Sequence, residues 1–566
     1  MNKRLRLIVV LLTVLLAGCS SPKKNTPTPT PSFPITPTQT EPVTPTPIPS
    51  FTPTETPTPT PTKTYEKDEE GFYILEDDYF VHKEIDENKL SFAEKLANIH
   101  YANNYRLFFG DTEIPLYGVN TNPSRVWTPN PTDFIKAGVG IINLNEPATF
   151  ILQTNFAFKE QSTKILPSNK GITLNKDLAR RTISFTINEC GQYTISFLKN
   201  MSFHLYVNPI GGYQSDLNNS RVVVFEKGLH NRSNDSRINS NNTVVLQSNT
   251  TVVLEQGAVI EAAFGANNAS NIDIIGDGIV LGANFDRNAE TGTRLIPYDF
   301  NYCSNIAFKG ITTLDPAGWC YNIYFCNNVH FDDIKIISSR SNGDGVSLQS
   351  CKSVVCENSF VRTWDDSLVV KNYPRWSNRN EQGSTKDIRF SNCQIWTELA
   401  QCMELGYETV GQTFENIYFE NIIVLYAYHK AVISIHNGNN AYIKNVHYDN
   451  IVVENARMGL GDGTQYLIDF INVHSATWSD QHAVTSLGYI EGVYVNNVTV
   501  LDGSSKCLIH MNGTKDTRSG YDNNEEHFVK NINLHNFFIY SQYLETNDEK
   551  LVIGDYVYNL SITHDE

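Results

Sequence analysis

The chain has 566 residues and a formal net charge of −17, from 44 Lys and Arg against 61 Asp and Glu. That acid excess argues against nucleic acid and anionic membrane surfaces as partners. Its ten cysteines are scattered, with no CxxC and no metal-ligand spacing, so neither a metal nor any other cofactor is expected.

In chain order, Lys3, Arg4 and Arg6 precede an apolar run from Leu7 to Leu16, followed by Leu16-Ala17-Gly18-Cys19. The run is too short to span a bilayer and reads as a signal peptide over residues 1–19. The last four residues look like a lipobox that makes Cys19 a diacylated N-terminus, and a plain secretory signal cut near Ala17 is the weaker alternative. Two acyl chains anchor stably. The expected location is therefore the extracellular face of the cell membrane, as in a bacterial lipoprotein, with the lipid as the only membrane contact. Residues 20–64 hold 14 of the 24 prolines, most of them alternating with threonine. Such a tract extends as polyproline II and would hold the body on the order of 100 Å from the anchor.

Only Ser91 to Asn103 carries a helical pattern. Over 65–212, short alternating segments such as ATFILQTNFAF and RTISFTINECGQYTISF predict antiparallel strands and a small β-sandwich-like domain. The region 213–566 repeats. SNIAFKGITTL from Ser304, NNVHFDDIKII from Asn327, KSVVCENSFVR from Lys352, KDIRFSNCQIW from Lys386 and ENIYFENIIVL from Glu415 share one plan. KNVHYDNIVVE from Lys444, EGVYVNNVTVL from Glu491 and KNINLHNFFIY from Lys530 continue it. Each has two apolar-x-apolar units around a polar pair with Asn or Asp. This predicts an all-β chain whose main body is a right-handed parallel β-helix, with coils about 4.8 Å apart. Propeller blades need about 40–50 residues, too many for the shortest repeats. Cys303, Cys326, Cys351 and Cys356 fall in these runs and read as buried small hydrophobes rather than disulfides. A monomer is expected.

Within the repeats, NGDGVSLQSCKSVVCENSFVRTWDDSLVVKNY (342–373) sets Asp344 one coil before the adjacent pair Asp365 and Asp366. Val346, Leu348, Leu368 and Val370 should point inward, and Ser347, Val369 and Lys371 outward. Adjacent residues of a regular strand face opposite ways, so the pair can share a site only if the chain bends at the strand start. Gly343 and Gly345 give similar freedom around Asp344. Three carboxylates on neighbouring coils repel, which raises at least one pKa and leaves a protonated acid beside an ionised base. A glycosidic bond is cleaved by such a pair. The bland alternative is that these are turn aspartates.

Asn342-Gly343-Asp344-Gly345 and Asp365-Asp366-Ser367-Leu368-Val369-Val370-Lys371 resemble the Asn-x-Asp-Gly and Asp-Asp-x-x-x-x-Lys motifs of the polygalacturonase family, glycoside hydrolase family 28. The related dextranase and isopullulanase family 49 shares the β-helix and the three aspartates and adds an N-terminal β-sandwich. The resemblance covers roughly residues 220–540. It implies an inverting hydrolase in which Asp365 is the general acid, Asp344 and Asp366 activate water, and Lys371 is a cleft residue. Gln401 stands where that family has a histidine, Trp364 where it has Gly, and Ser434-Ile435-His436 where Arg-Ile-Lys holds a sugar carboxylate. A uronate pocket is therefore not expected. Glu404, Tyr407, Glu408, His436, Trp364, Trp376 and Trp396 are further candidates for binding sugar, although core packing is an equal reading for Trp396 and a structural role for His436. Asp462 and Asp469 read as turn and strand residues. The expected function is a surface-anchored glycoside hydrolase acting on a polysaccharide. The alternatives are a calcium-dependent β-helix lyase and a non-catalytic glycan-binding β-helix.

Overall fold

The computed structural model describes residues 104–128, 131, 133–197, 200–286, 295–373, 383–458, 465–474, 486–515 and 524–565. The signal peptide with Cys19, the Pro/Thr tract, the helical pattern at 91–103, Trp376 and Asp462 lie outside the described residues.

Between Tyr105 and Asn208 the alternating segments form two five-stranded sheets. One runs Thr112–Ile114, Tyr105–Phe109, Ala148–Thr154, Thr182–Ile187, Asn175–Asp177, all antiparallel. The other runs Leu116–Thr121, Ile135–Asn143, Ser202–Asn208, Gly191–Ser196, Lys164–Leu166. One of its pairs, Ser202–Asn208 against Ile135–Asn143, is parallel, where the sequence predicted antiparallel strands throughout. Alternation puts Leu107, Phe150, Leu152, Ile183, Phe185, Phe203 and Leu205 in a shared core.

From Arg221 onward the strands stack as a β-helix, in a sheet of 21 strands and a second of 11 among the described residues, all parallel except Gln542–Tyr543, which pairs antiparallel with Val529–Ile539. The repeated motif lays down the two strands that most coils give to the larger sheet. Ile306, Val329, Val354, Ile388, Ile417, Val446, Val493 and Ile532 stand in register on successive coils. Two positions on, Phe390, Phe419 and Tyr448 stack ring on ring at 4.8 and 4.9 Å. Each such side chain, fully buried, contributes about 1.5–3 kcal/mol. Cys303, Cys326, Cys351 and Cys356 are free thiols within this core.

The recurring Asn or Asp marks the corner between the two strands. Asp333, Asn358, Asn392, Asn421, Asn450, Asn497 and Asn536 have φ between 52° and 59°. That left-handed conformation costs most side chains about 1–2 kcal/mol, whereas Asn visits it readily. The amides then bond up the axis, Asn421 to Asn392 at 3.2 Å, Asn450 to Asn421 at 3.1 Å, Asn497 to Asn450 at 3.1 Å and Asn536 to Asn497 at 3.0 Å.

The sandwich packs on one flank of the β-helix. Val119, Val139, Leu166 and Tyr206 share an apolar cluster with Ile337, Phe360, Trp396, Leu425 and Tyr428. Buried within this contact, Arg362 Nη2 donates to Glu398 Oε1 at 2.6 Å and Arg362 Nη1 lies 3.0 Å from His204 Nε2. The guanidinium lies 4.0 Å from the Trp396 ring centroid, so Trp396 belongs to the core.

Candidate active site

The three aspartates sit in the turns that lead into the smaller sheet. Asp344 precedes the strand Val346–Gln349, while Asp365 and Asp366 occupy the bend between Phe360–Thr363 and Leu368–Asn372. Val346 pairs with Leu368 and Leu348 with Val370, all four inward, while Ser347 pairs with Val369 and Gln349 with Lys371. The same register carries back into the turns, where Gly345 N–H donates to the Asp366 carbonyl at 2.9 Å. Asp344 and Asp366 are thus rung neighbours, about 4.8 Å apart along the backbone.

The bend required for Asp365 and Asp366 to share a site is present and is braced by hydroxyls. Thr363 Oγ1 donates to the Asp365 carbonyl at 2.5 Å, and Thr363, Ser367 and Thr397 form a hydroxyl chain with links of 2.7 and 2.6 Å. On the previous coil, Asn342 takes the left-handed conformation at φ 51°. Gly345 is required by close approach, since a Cβ there would strike the Ser367 carbonyl and Val361. Arg340 holds this turn, with Nε 3.2 Å from Asp315 Oδ1 and Nη2 2.8 Å from the Ala283 carbonyl.

Backbone N–H groups aim the pair. Asn342 N–H donates to Asp365 Oδ2 at 3.0 Å, Asp366 N–H to Asp365 Oδ1 at 3.1 Å, and Gln401 N–H to Asp366 Oδ1 at 3.1 Å. Both side chains keep some solvent access. Burial, with the charge of Asp344, pushes Asp365 up to about 6 against the opposing charges of Lys430 and Lys371. Burial and the charges of Asp365, Asp344 and Glu404 push Asp366 well above the usual carboxylate range. The two titrate as a pair that holds a proton where an isolated aspartate would have lost it.

Lys371 is 3% exposed, with Nζ 2.6 Å from Asp344 Oδ2 and 4.0 Å from the Trp319 ring centroid. Burial works against its charge, but Asp344, Glu408 and Asp366 outweigh burial and raise its pKa. Lys371 was expected to meet sugar in the cleft. Here it is the fixed counter-ion of Asp344.

Glu404, Asp469 and Trp364 stand otherwise than expected, and His436 takes the structural one of its two readings. Glu404 is fully buried, accepts from Ser434 Oγ and takes the Nδ1–H of His436 at 2.8 Å. His436 gives its Nε2–H to Asp469 Oδ2 at 3.0 Å, and His510 Nδ1 lies 2.8 Å from Asp469 Oδ1. Burial opposes a charge on His436, but Glu404 and Asp469 overcome it and raise the imidazole to about 10. Both ring nitrogens of His436 are therefore taken by carboxylates, with no N–H left for a sugar, and Asp469 is an ion-network partner, not a plain strand residue. Trp364 is fully buried, and its Nε1–H donates to the Ser124 carbonyl of the sandwich at 2.8 Å. Tyr407 remains a candidate, because it is partly exposed and stacks on His436 at 4.3 Å and 6°. Glu408 is buried, with its pKa raised by that burial.

Sequence reasoning missed Lys430, whose charge acts on Asp365. Counting two coils on from Asp365, through Ala400, would have found it. Two hollows lie apart from the aspartates. One of about 530 Å³ is bounded by Cys190, Gln192, Tyr213 and Asp333, and one of about 560 Å³ by Asn242, Phe264, Phe285 and Asp299. Among the described residues no cluster of His, Cys, Asp and Glu is arranged to hold a metal ion.

Residues 216–517 match the sequence profile of glycosyl hydrolases family 28. Over 109 residues, 19% of this chain, the sequence is 29% identical to a polygalacturonase of Brassica napus. That stretch spans 28% of the relative's length. Among solved structures the chain is similar to Dex49A from Penicillium minioluteum, at 13% identity over 80% of this chain and 93% of that one, with a TM-score of 0.49. It is also similar to the hyperthermoactive exopolygalacturonase from Thermotoga maritima, at 16% identity over 59% and 84% of the two chains, with a TM-score of 0.41. The profile match covers more than half of the 566 residues and takes in the coils that carry Asp344, Asp365 and Asp366. The chain belongs to glycosyl hydrolases family 28.

Proposed function

We propose that the protein is an inverting glycoside hydrolase acting on a polysaccharide, with Asp365 as general acid and Asp344 and Asp366 as the groups that activate water. The observation that carries this reading is the grouping of three carboxylates on two adjacent coils, where Asp365, raised to about 6, and Asp366, also raised, form a pair that retains a proton between them. An acid with that pKa can protonate a leaving oxygen near neutral pH and be regenerated. Lys371 aims Asp344, with Nζ 2.6 Å from its Oδ2. In this mechanism water attacks the anomeric carbon on the face opposite the leaving group, so the configuration inverts. Proton NMR of the first-formed anomer tests it. Retention would require a covalent intermediate and would refute the assignment.

The substrate we infer is a neutral or mixed glycan rather than plain polygalacturonate. Polygalacturonases place Arg and Lys where this chain has Ser434 and His436, and both of these side chains bond to Glu404. A buried sugar carboxylate there would meet no free donor, at a cost of several kcal/mol. The net charge of −17 adds repulsion that salt screens in part. Assays on polygalacturonate, rhamnogalacturonan, dextran and pullulan decide it, and faster cleavage of polygalacturonate than of every neutral glycan contradicts it. Anchoring through Cys19 on the outer face of the membrane is part of the same proposal. Loss of fatty-acid labelling in Cys19→Ser is the expected result, and undiminished labelling refutes it.

A further inference from the structure

Among the described residues, Trp319, Trp364 and Trp396 are at most 3% exposed, whereas Trp127 is 49% exposed and its neighbour Val126 is 51% exposed. Trp127 belongs to the sandwich, in the segment that follows the strand Leu116–Thr121. Single exposed apolar side chains are ordinary on a folded protein, so the place of Trp127 decides what its exposed indole can do.

The path of this segment says what lies beside it. Asn122 Nδ2 donates to the Ser339 carbonyl at 3.2 Å, on the turn that leads to Asp344. Ser124 offers its carbonyl to Trp364 Nε1 at 2.8 Å, one residue before Asp365. The Arg125 guanidinium lies 5.0 Å from the ring centroid of Tyr428, two residues before Lys430. The segment thus runs along the helix axis and is tied to turns of three coils, two of which carry the three aspartates. Internal bonds keep it taut, with Ser124 N–H to Asn122 Oδ1 at 2.9 Å and Ser124 Oγ to the Val126 carbonyl at 3.1 Å. Trp127 is three residues past Ser124, a reach of at most about 10 Å.

We infer that Trp127 is a sugar-binding platform contributed by the sandwich to the wall of the active-site cleft, on which one face of a pyranose ring of the polysaccharide stacks. This rests on the functional reading above. The axial C–H groups of a pyranose carry partial positive charge and suit the negative face of an indole, and ring burial adds the apolar term. A platform on the sandwich also accounts for the anchoring of this segment to the turns around Asp344 and Asp365.

The test uses full-length protein and compares the parent, Trp127→Ala and Trp127→Phe. Each is run in affinity gels containing dextran, pullulan, rhamnogalacturonan or polygalacturonate, and KM is measured on whichever of these the parent cleaves. The expected result is about tenfold weaker retardation and about tenfold higher KM for Trp127→Ala. Trp127→Phe, which keeps an aromatic face, should stay within about threefold of the parent, with melting curves matching for all three. Retardation and KM of Trp127→Ala within about twofold of the parent would overturn the inference and leave the hydrolase reading standing. A parent that is neither retarded by nor active on any of the four polysaccharides would overturn both.

Discussion

Lys371 holds Asp344 at 2.6 Å across one coil, with the ammonium capped by the face of Trp319. Both partners are nearly out of water, at 4% and 3% side-chain exposure. Breaking a buried pair from one side typically costs about 3–5 kcal/mol, because the other charge is left without compensation. Lys371→Met should therefore lower the melting temperature and impair hydrolysis together, as measured by thermal unfolding and reducing-end release. A variant with parental stability and turnover would remove Lys371 from the site.

The pH dependence follows from Asp365. A general acid works only while protonated, and burial with Asp344 holds that proton up to about pH 6. In the free enzyme, kcat/KM should fall by about tenfold per pH unit above that value. A profile level from about pH 6 to about pH 9 would show that no acid with this pKa takes part.

His436 is bound to two carboxylates, Glu404 and Asp469. His436→Gln leaves both short of a cation and should cost about 3–5 kcal/mol. The folded pKa, raised to about 10, exceeds the ordinary value of about 6.5. The stabilisation is therefore complete below about pH 6.5 and is lost as pH rises through about 10. Melting temperatures of parent and variant should converge between about pH 7 and about pH 10. A gap constant over that range would contradict the charged state.

The helix and the aspartate triad were legible because a coil imposes a period on the sequence. Inward positions such as Val354 and Phe390 need apolar side chains, the corner residue needs Asn, and Asp344 stands one coil before Asp366. Contacts that cross insertions of irregular length were not legible. His436 meets Asp469 33 residues on, and nothing local to Ser434-Ile435-His436 announces that the imidazole is already spoken for. Trp364 was misread for the same reason. Its partner, the Ser124 carbonyl, lies 240 residues away in the sandwich, so adjacency to Asp365 suggested a sugar contact where there is an inter-domain tie.

The most direct measurement is the turnover of Asp365→Asn beside its melting curve. The substitution removes the transferable proton and almost no volume, and its single amide oxygen keeps one of the two backbone N–H bonds, that of Asn342 or that of Asp366. Turnover should fall by about 10²–10⁴-fold while the melting temperature stays within about 5 °C of the parent. Retention of more than about a tenth of parental turnover, with the melting temperature in that range, would contradict the assignment of Asp365 as the acid.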